Sequence, residues 1–330
     1  RTLIQERYAD NPNATDLLGN ENTDWQDAIY QPAFGMDHNL SFNGGIKVLP
    51  YRASIGYSDQ NGILKTTSLK RTTLAISLNP SFLDDHLRLN VNLKGMYIKN
   101  RFADWGAVGG AVAFDPSQPI YDENSPYGGY FTWTQPNGDP ITIATTNPLA
   151  LLEMTDNTSN VYRSLGNAQL EYRFHPLPEL KAVLNLGYDI SESKGQRFVP
   201  ENAAWLYDPL NGGGESSQYT QNKSNELLDF YLNYNKELSS ISSHLDITAG
   251  YSWQHFWRKG TNYSTNVSES VINADTDYET ENFLVSFFGR LNYSYKGRYL
   301  LTFSLRYDGS SRFAEQNRWG LFPSLALAWD

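Results

Sequence analysis

Four segments carry residue types and spacings that do chemistry in other proteins. Ser191-Glu192-Ser193-Lys194 matches the Ser-x-x-Lys pattern, in which a lysine amine activates a serine, but that pattern needs a helix start and partner motifs elsewhere. The five histidines, His38, His86, His175, His244 and His255, show no His-Glu-x-x-His or other metal-ligand spacing, and three of them (His86, His175, His244) fall at short turns. Asp122-Glu123-Asn124 and Asp275-Thr276-Asp277 offer hard oxygens to calcium but lack the Asp-x-Asp-x-Asp-Gly run and distal Glu of a calcium loop. Gly212-Gly213-Gly214 has neither the strand-to-helix context nor the lysine of a phosphate loop. The sequence therefore predicts no catalytic residue, no cofactor and no metal, and it does not read as an enzyme.

The aromatic residues outside the periodic segments are a different matter. Trp105, Tyr121, Tyr127, Tyr130, Phe131 and Trp133 cluster in one long excursion, and Trp205 and Tyr207 lie in the next. Flat rings stack on sugar faces or pack on peptide side chains, while nearby Asp and Asn orient hydrogen bonds. Long surface loops are where binding usually sits. Trp105, Tyr121, Tyr127, Tyr130, Trp133, Trp205 and Tyr207 are thus the candidates for contact with a substrate or partner; the competing expectation is that they fold the loop on itself.

What must position these loops is a set of strands. In Leu87-Arg88-Leu89-Asn90-Val91-Asn92-Leu93-Lys94 one face is aliphatic and the other polar, and the same period of two returns over 184–191, 245–254 and 299–308. By this test there are about eleven strands, near 36–45, 51–59, 66–79, 85–99, 162–174, 181–194, 220–236, 245–258, 280–295, 299–311 and 320–330. Residues 1–35 form a lead-in segment, and 36–330 hold the strands with long outer loops at 100–161, 195–219 and 259–279. Short and long connections alternate strictly along the chain. A membrane barrel has that rhythm, with short periplasmic turns and longer outer loops, whereas Greek-key links of a soluble sandwich mix lengths.

Composition agrees. Aromatics make up 14% of the 330 residues, which excludes disorder, and the net charge of −10 argues against a nucleic-acid partner. No run approaches the ~20 apolar residues of a membrane helix, but a barrel alternates its faces and keeps its mean hydropathy modest. There is no cysteine, and Arg1 is followed by no apolar run of a signal peptide. An open sheet would leave two strand edges in lipid, at several kcal/mol per unsatisfied backbone group. The fold class expected is therefore all-β, an antiparallel transmembrane β-barrel, and the chain a middle piece amounting to about half of a 22-stranded plugged barrel whose plug domain is absent.

Three segments resemble one family. Asn22-Thr23-Asp24-Trp25-Gln26-Asp27-Ala28-Ile29-Tyr30, running on to His38-Asn39-Leu40-Ser41-Phe42-Asn43-Gly44-Gly45, is similar to a stretch of SusC/RagA-type TonB-dependent transporters. So are Tyr57-Ser58-Asp59-Gln60-Asn61-Gly62-Ile63-Leu64-Lys65 and the stretch from Tyr299 through Arg306-Tyr307-Asp308-Gly309-Ser310-Ser311-Arg312-Phe313 to Asn317-Arg318-Trp319-Gly320 and Phe322-Pro323-Ser324. The resemblance implies the outer membrane of a Gram-negative bacterium. It implies import of a large nutrient, a glycan or peptide, through the barrel. A SusD-like surface lipoprotein would lid the outer mouth, and the TonB complex would act through the missing N-terminal plug. The rival expectations are a passive outer-membrane porin and a soluble β-sandwich carbohydrate-binding protein.

Overall fold

The alternating segments become strands because, in a pleated backbone, successive side chains point to opposite faces, so only a period of two gathers the apolar residues on one side. The structure, a computed structural model, describes residues 2–11, 17–47 and 49–330; part of the expected 1–35 lead-in and Val48 of the first turn lie outside the described residues. The strands are β1 (Gly35–Ile46), β2 (Leu49–Asn61), β3 (Ser68–Leu78), the two-residue β4 (Ser81–Phe82), β5 (Leu87–Arg101), β6 (Asp156–Arg173), β7 (Leu180–Val199), β8 (Glu215–Leu238), β9 (Ser243–Thr265), β10 (Ile272–Tyr295), β11 (Tyr299–Ser310) and β12 (Trp319–Trp329). They form one antiparallel sheet in chain order, with β4 set aside as a short partner of β5.

The register shows what the sheet is for, because residues directly opposite in an antiparallel ladder share a face. One row crosses eight strands through Leu89, Leu170, Leu184, Phe230, Tyr251, Phe287, Tyr307 and Leu321, and every position is aliphatic or aromatic. The adjacent row, one residue along each strand, reads Asn90, Gln169, Asn185, Asp229, Ser252, Ser286, Asp308 and Gly320. Its members bond to one another: Ser252 Oγ donates to Asp229 Oδ1 at 2.6 Å and Asn185 Nδ2 to Asp229 Oδ2 at 3.5 Å. Higher on the same polar face, Arg163 grips Asp189 through two bonds of 2.8 and 2.5 Å. On the apolar face large side chains stand exposed, Leu40, Phe42, Leu74 and Phe287 among them. A soluble protein does not leave a belt of that extent uncovered; hydrocarbon outside and a wet lumen inside account for both rows.

The connections need correction. The segment 259–279, expected as an outer loop, is mostly ladder: β9 continues to Thr265 and β10 begins at Ile272. Likewise 195–219 shrinks to 200–214, and β6 starts at Asp156, well before the expected strand start. The link 266–271 is then no longer than the turn 174–179, so strict alternation of lengths fails. What distinguishes the two ends is strand overrun. β8, β9 and β10 are 24, 23 and 24 residues long, against the ~9–11 needed to cross hydrocarbon. Above the apolar belt both faces are wet, so the hydrophobic alternation vanishes while the ladder continues. There Lys259 Nζ meets Glu279 Oε2 at 3.1 Å and Trp257 Nε1 donates to Glu279 Oε1 at 2.7 Å, across β9 and β10.

Candidate functional site

The loops at the overrun end form one folded body. The chain enters β1 from that end, since Gly35 pairs with Gln60 beside the β2–β3 connection. The lead-in therefore lies among the outer loops. Among the described residues four short helices punctuate the chain: α1 (Thr2–Arg7), α2 (Trp25–Ile29), α3 (Gly106–Ala113) and α4 (Pro148–Glu153). Asp24 caps α2 by accepting from the Gln26 and Asp27 amides, both at 3.0 Å. Trp25 and Ile29, four residues apart on one helix face, are buried against Phe114, Ala107, Ala111, Leu64 and Leu152. Trp25 Nε1 donates to the Asp115 carbonyl at 3.0 Å, and Thr23 Oγ1 to that of Gln118 at 2.6 Å. The lead-in is thus stitched to the long loop between β5 and β6.

That loop is knotted at Asn147, which is buried. Its Oδ1 accepts from the Leu149 and Ala150 amides at 3.1 and 3.3 Å, capping α4, and its Nδ2 donates to the Ile120 and Phe131 carbonyls at 2.8 and 3.3 Å. The Asn-Pro pair opening α4 is a helix-start signal, and the reading centred on aromatic rings passed over it. α3 crosses close by: a Cβ on Gly110 would sit 3.4 Å from Pro148 Cγ.

The aromatic candidates divide. Tyr127 and Tyr130 are buried. Tyr130 Oη donates to Glu153 Oε2 at 2.6 Å, and Tyr127 Oη to the Gly138 carbonyl at 2.9 Å. Burial first, then the bond to Glu153, pushes the Tyr130 phenol far above its usual range. Trp133 packs at 5.2 Å, edge-on, against Phe131, and both rest on the cluster that holds Trp25. Trp205, in the short 3-10 turn Ala204–Leu206, packs on Tyr130, Leu149 and Ala150. Tyr207 Oη donates to Asp139 Oδ1 at 2.8 Å, which raises its phenol, and its ring meets Tyr127 edge-on at 6.0 Å. Between Tyr127, Trp133, Asn147 and Trp205 lies a cavity of about 20 Å³, room for one water and not for a sugar ring. The Trp205 Nε1 in its wall is buried without a protein partner. Trp105 and Tyr121 alone of the seven stand mainly exposed, at 74% and 57%, with Ile143 at 96% and Leu210 at 89% on the same loops.

Further fastenings join the loops. Arg197 at the end of β7 reaches Asp104 at 3.5 Å and also bridges to Glu215. Asn266 Nδ2 donates to the Asn211 and Gly212 carbonyls at 2.7 and 3.1 Å, tying 266–271 to 200–214. Asp208 accepts from the Leu210 and Asn211 amides at 2.9 and 3.1 Å and from Asn211 Nδ2 at 3.0 Å; these bonds, the side-chain one foremost, hold its carboxyl below the usual range.

The structure also places the motifs set aside earlier. Ser191 and Lys194 lie on opposite faces of β7, and Lys194 pairs with Glu192 at 2.7 Å. Asp122 Oδ1 accepts the Asn124 amide in a local turn. Among the described residues no group of three His, Asp or Glu side chains is placed to hold a metal.

Comparison with known proteins gives a consistent result. Residues 120–330 match the family model "TonB dependent receptor-like, beta-barrel". The chain is 43% identical to the TonB-dependent receptor SusC of Bacteroides thetaiotaomicron over 94% of its length, and 30% identical to the TonB-dependent receptor P3 of Formosa agariphila over 95%. It spans about a third of each, 32% in both cases. Among solved structures, the RagAB peptide transporter superposes with a TM-score of 0.78 at 21% identity, covering 99% of this chain and 38% of that one. The siderophore receptor PiuA of Acinetobacter baumannii does so with a TM-score of 0.54 at 10% identity, covering 89% and 44%. At these identities the structural likeness speaks for the fold.

Proposed function

The chain belongs to the TonB-dependent receptor family, as part of its outer-membrane β-barrel, and from that premise we propose that the protein imports a large nutrient, a glycan or a peptide, across the outer membrane. The observation that supports the reading is the polar row beside the apolar one: a lumen wall of Asn, Gln, Asp and Ser that can hydrogen-bond a hydrated solute. In the whole protein about twenty-two strands close around an N-terminal plug, and the TonB complex acts on that plug. A SusD-like lipoprotein lids the outer mouth. Trp105, Tyr121, Ile143 and Leu210 offer it, or the substrate, an apolar surface on a body that is already folded. Tyr127, Tyr130, Trp133, Trp205 and Tyr207 act at one remove, by holding that body in shape.

The test is growth of the source bacterium on single glycans and on peptides, with the gene for the full-length receptor deleted and restored. Loss of growth on one nutrient class, reproduced by removing TonB, is the expected outcome. Uptake that persists without TonB would make the protein a passive porin. Trp105→Ala should weaken co-purification of the lid lipoprotein while the barrel still assembles.

A further inference from the structure

The apolar belt is hollow at one place. Ala249 of β9 and Gly289 of β10 are direct cross-strand partners, and Leu305 of β11 lies opposite Gly289. Two adjacent positions of the belt thus carry only a methyl group and a hydrogen. They floor a trough of about 500 Å³ walled by Ile247, Phe287, Leu291, Phe303 and Tyr307.

Nothing among the described residues accounts for glycine at 289. It is not among the residues with positive φ. A Cβ there would meet no atom closer than the Thr248 carbonyl oxygen at 3.8 Å. Two other belt glycines are crowded: a Cβ on Gly166 would meet Leu93 Cδ2 at 2.7 Å, and one on Gly309 the Trp319 ring at 2.8 Å, whereas Gly95 is open as Gly289 is but pairs with Leu74 and Ser164 and lines no such trough. A mid-strand glycine loses roughly 0.5–1 kcal/mol relative to alanine, and its common uses are a bend or the close approach of another group. At Gly289 the described residues supply no such group.

The medium outside is hydrocarbon, continuous with the rest of the belt. A trough three strands wide is too narrow for the ~800 Å² per partner of a stable protein interface. The polar groups above it on the same outward face, His255 with Glu281 and Lys259 with Glu279, are paired at 2.9 and 3.1 Å, so the site engages a chain and not a headgroup. We propose that the Ala249–Gly289 trough seats one acyl chain of a membrane lipid and retains it longer than the chains elsewhere around the barrel. The proposal rests on the barrel's placement in the membrane and is independent of what the receptor transports.

The experiment uses the full-length receptor. Extracted in mild detergent, it is examined by native mass spectrometry for retained diacyl lipid, with assembly verified by heat-dependent gel mobility. Gly289→Leu and Ala249→Leu fill the trough. Gly95→Leu is the control, since Gly95 pairs with Leu74 on the same belt and a Cβ there meets nothing within 4 Å. Wild type and Gly95→Leu should keep one lipid that both filling variants lose, a several-fold drop in the lipid-bound fraction. Equal retention in all four proteins overturns the proposal, as does a filled variant that loses a second copy of the receptor but no lipid. Independently of any variant, mid-chain spin-labelled phospholipid around the wild-type barrel should show a long-lived immobilised component, and its absence has the same meaning.

Discussion

Tyr130 is the residue on which two readings of the loop aromatics can be separated. Its ring is interior and its hydroxyl is spent on Glu153 at 2.6 Å. Tyr130→Phe should therefore lower the free energy of loop opening by about 1 kcal/mol, seen as a roughly five-fold rise in amide exchange over 147–155. Trp105→Ala should leave that exchange unchanged, because its side chain is 74% exposed. Asp208 adds a pH dependence. Its folded-state pKa lies below the ordinary 3.8, so the native loop favours the carboxylate. That contribution is complete above the unfolded value and is lost as pH falls through the folded one. Exchange in 200–214 should accelerate on acidification below about pH 4, and Asp208→Asn should flatten the response. None of this was legible in the sequence, where a ring that binds and a ring that fills a loop core have the same letter.

The element scale was far more legible. Leu87 to Lys94 and Leu184 to Ser191 announced their strands, because one side of each meets lipid and the other meets water. The same reasoning failed at 259–279, where the β9–β10 ladder stands clear of the membrane and no apolar face is required. There the pattern to read was cross-strand charge, as in Lys259 opposite Glu279. The lead-in helix α2 carries a family resemblance in its residues, but that Trp25 and Ile29 bury against residues some ninety positions away needs the fold. The two rows predict an asymmetry. Leu186→Arg places a cation in the belt and should cost ~2–4 kcal/mol of barrel stability. Asn185→Arg, its neighbour on the polar row, should cost well under half as much. Urea unfolding of the full-length receptor in lipid vesicles would measure both.

For the whole molecule, the outer body matters as much as the wall beneath it. Arg197 reaches both Asp104 and Glu215, Asn266 fastens 266–271 to 200–214, and the lead-in is sewn to residues 115–118. Arg197→Ala should raise exchange in the 102–155 and 200–214 loops together, because one side chain serves both. If only one loop responded, the body would have to be regarded as separate flaps. The fastening also bears on how the cell surface looks to an outside observer. An antibody or a phage tail fibre landing there meets a mosaic drawn from stretches far apart in the chain, with Trp105, Tyr121 and Leu210 all exposed on it. Serum raised against short synthetic peptides should recognise it poorly, and serum raised against the folded receptor should not cross over to those peptides.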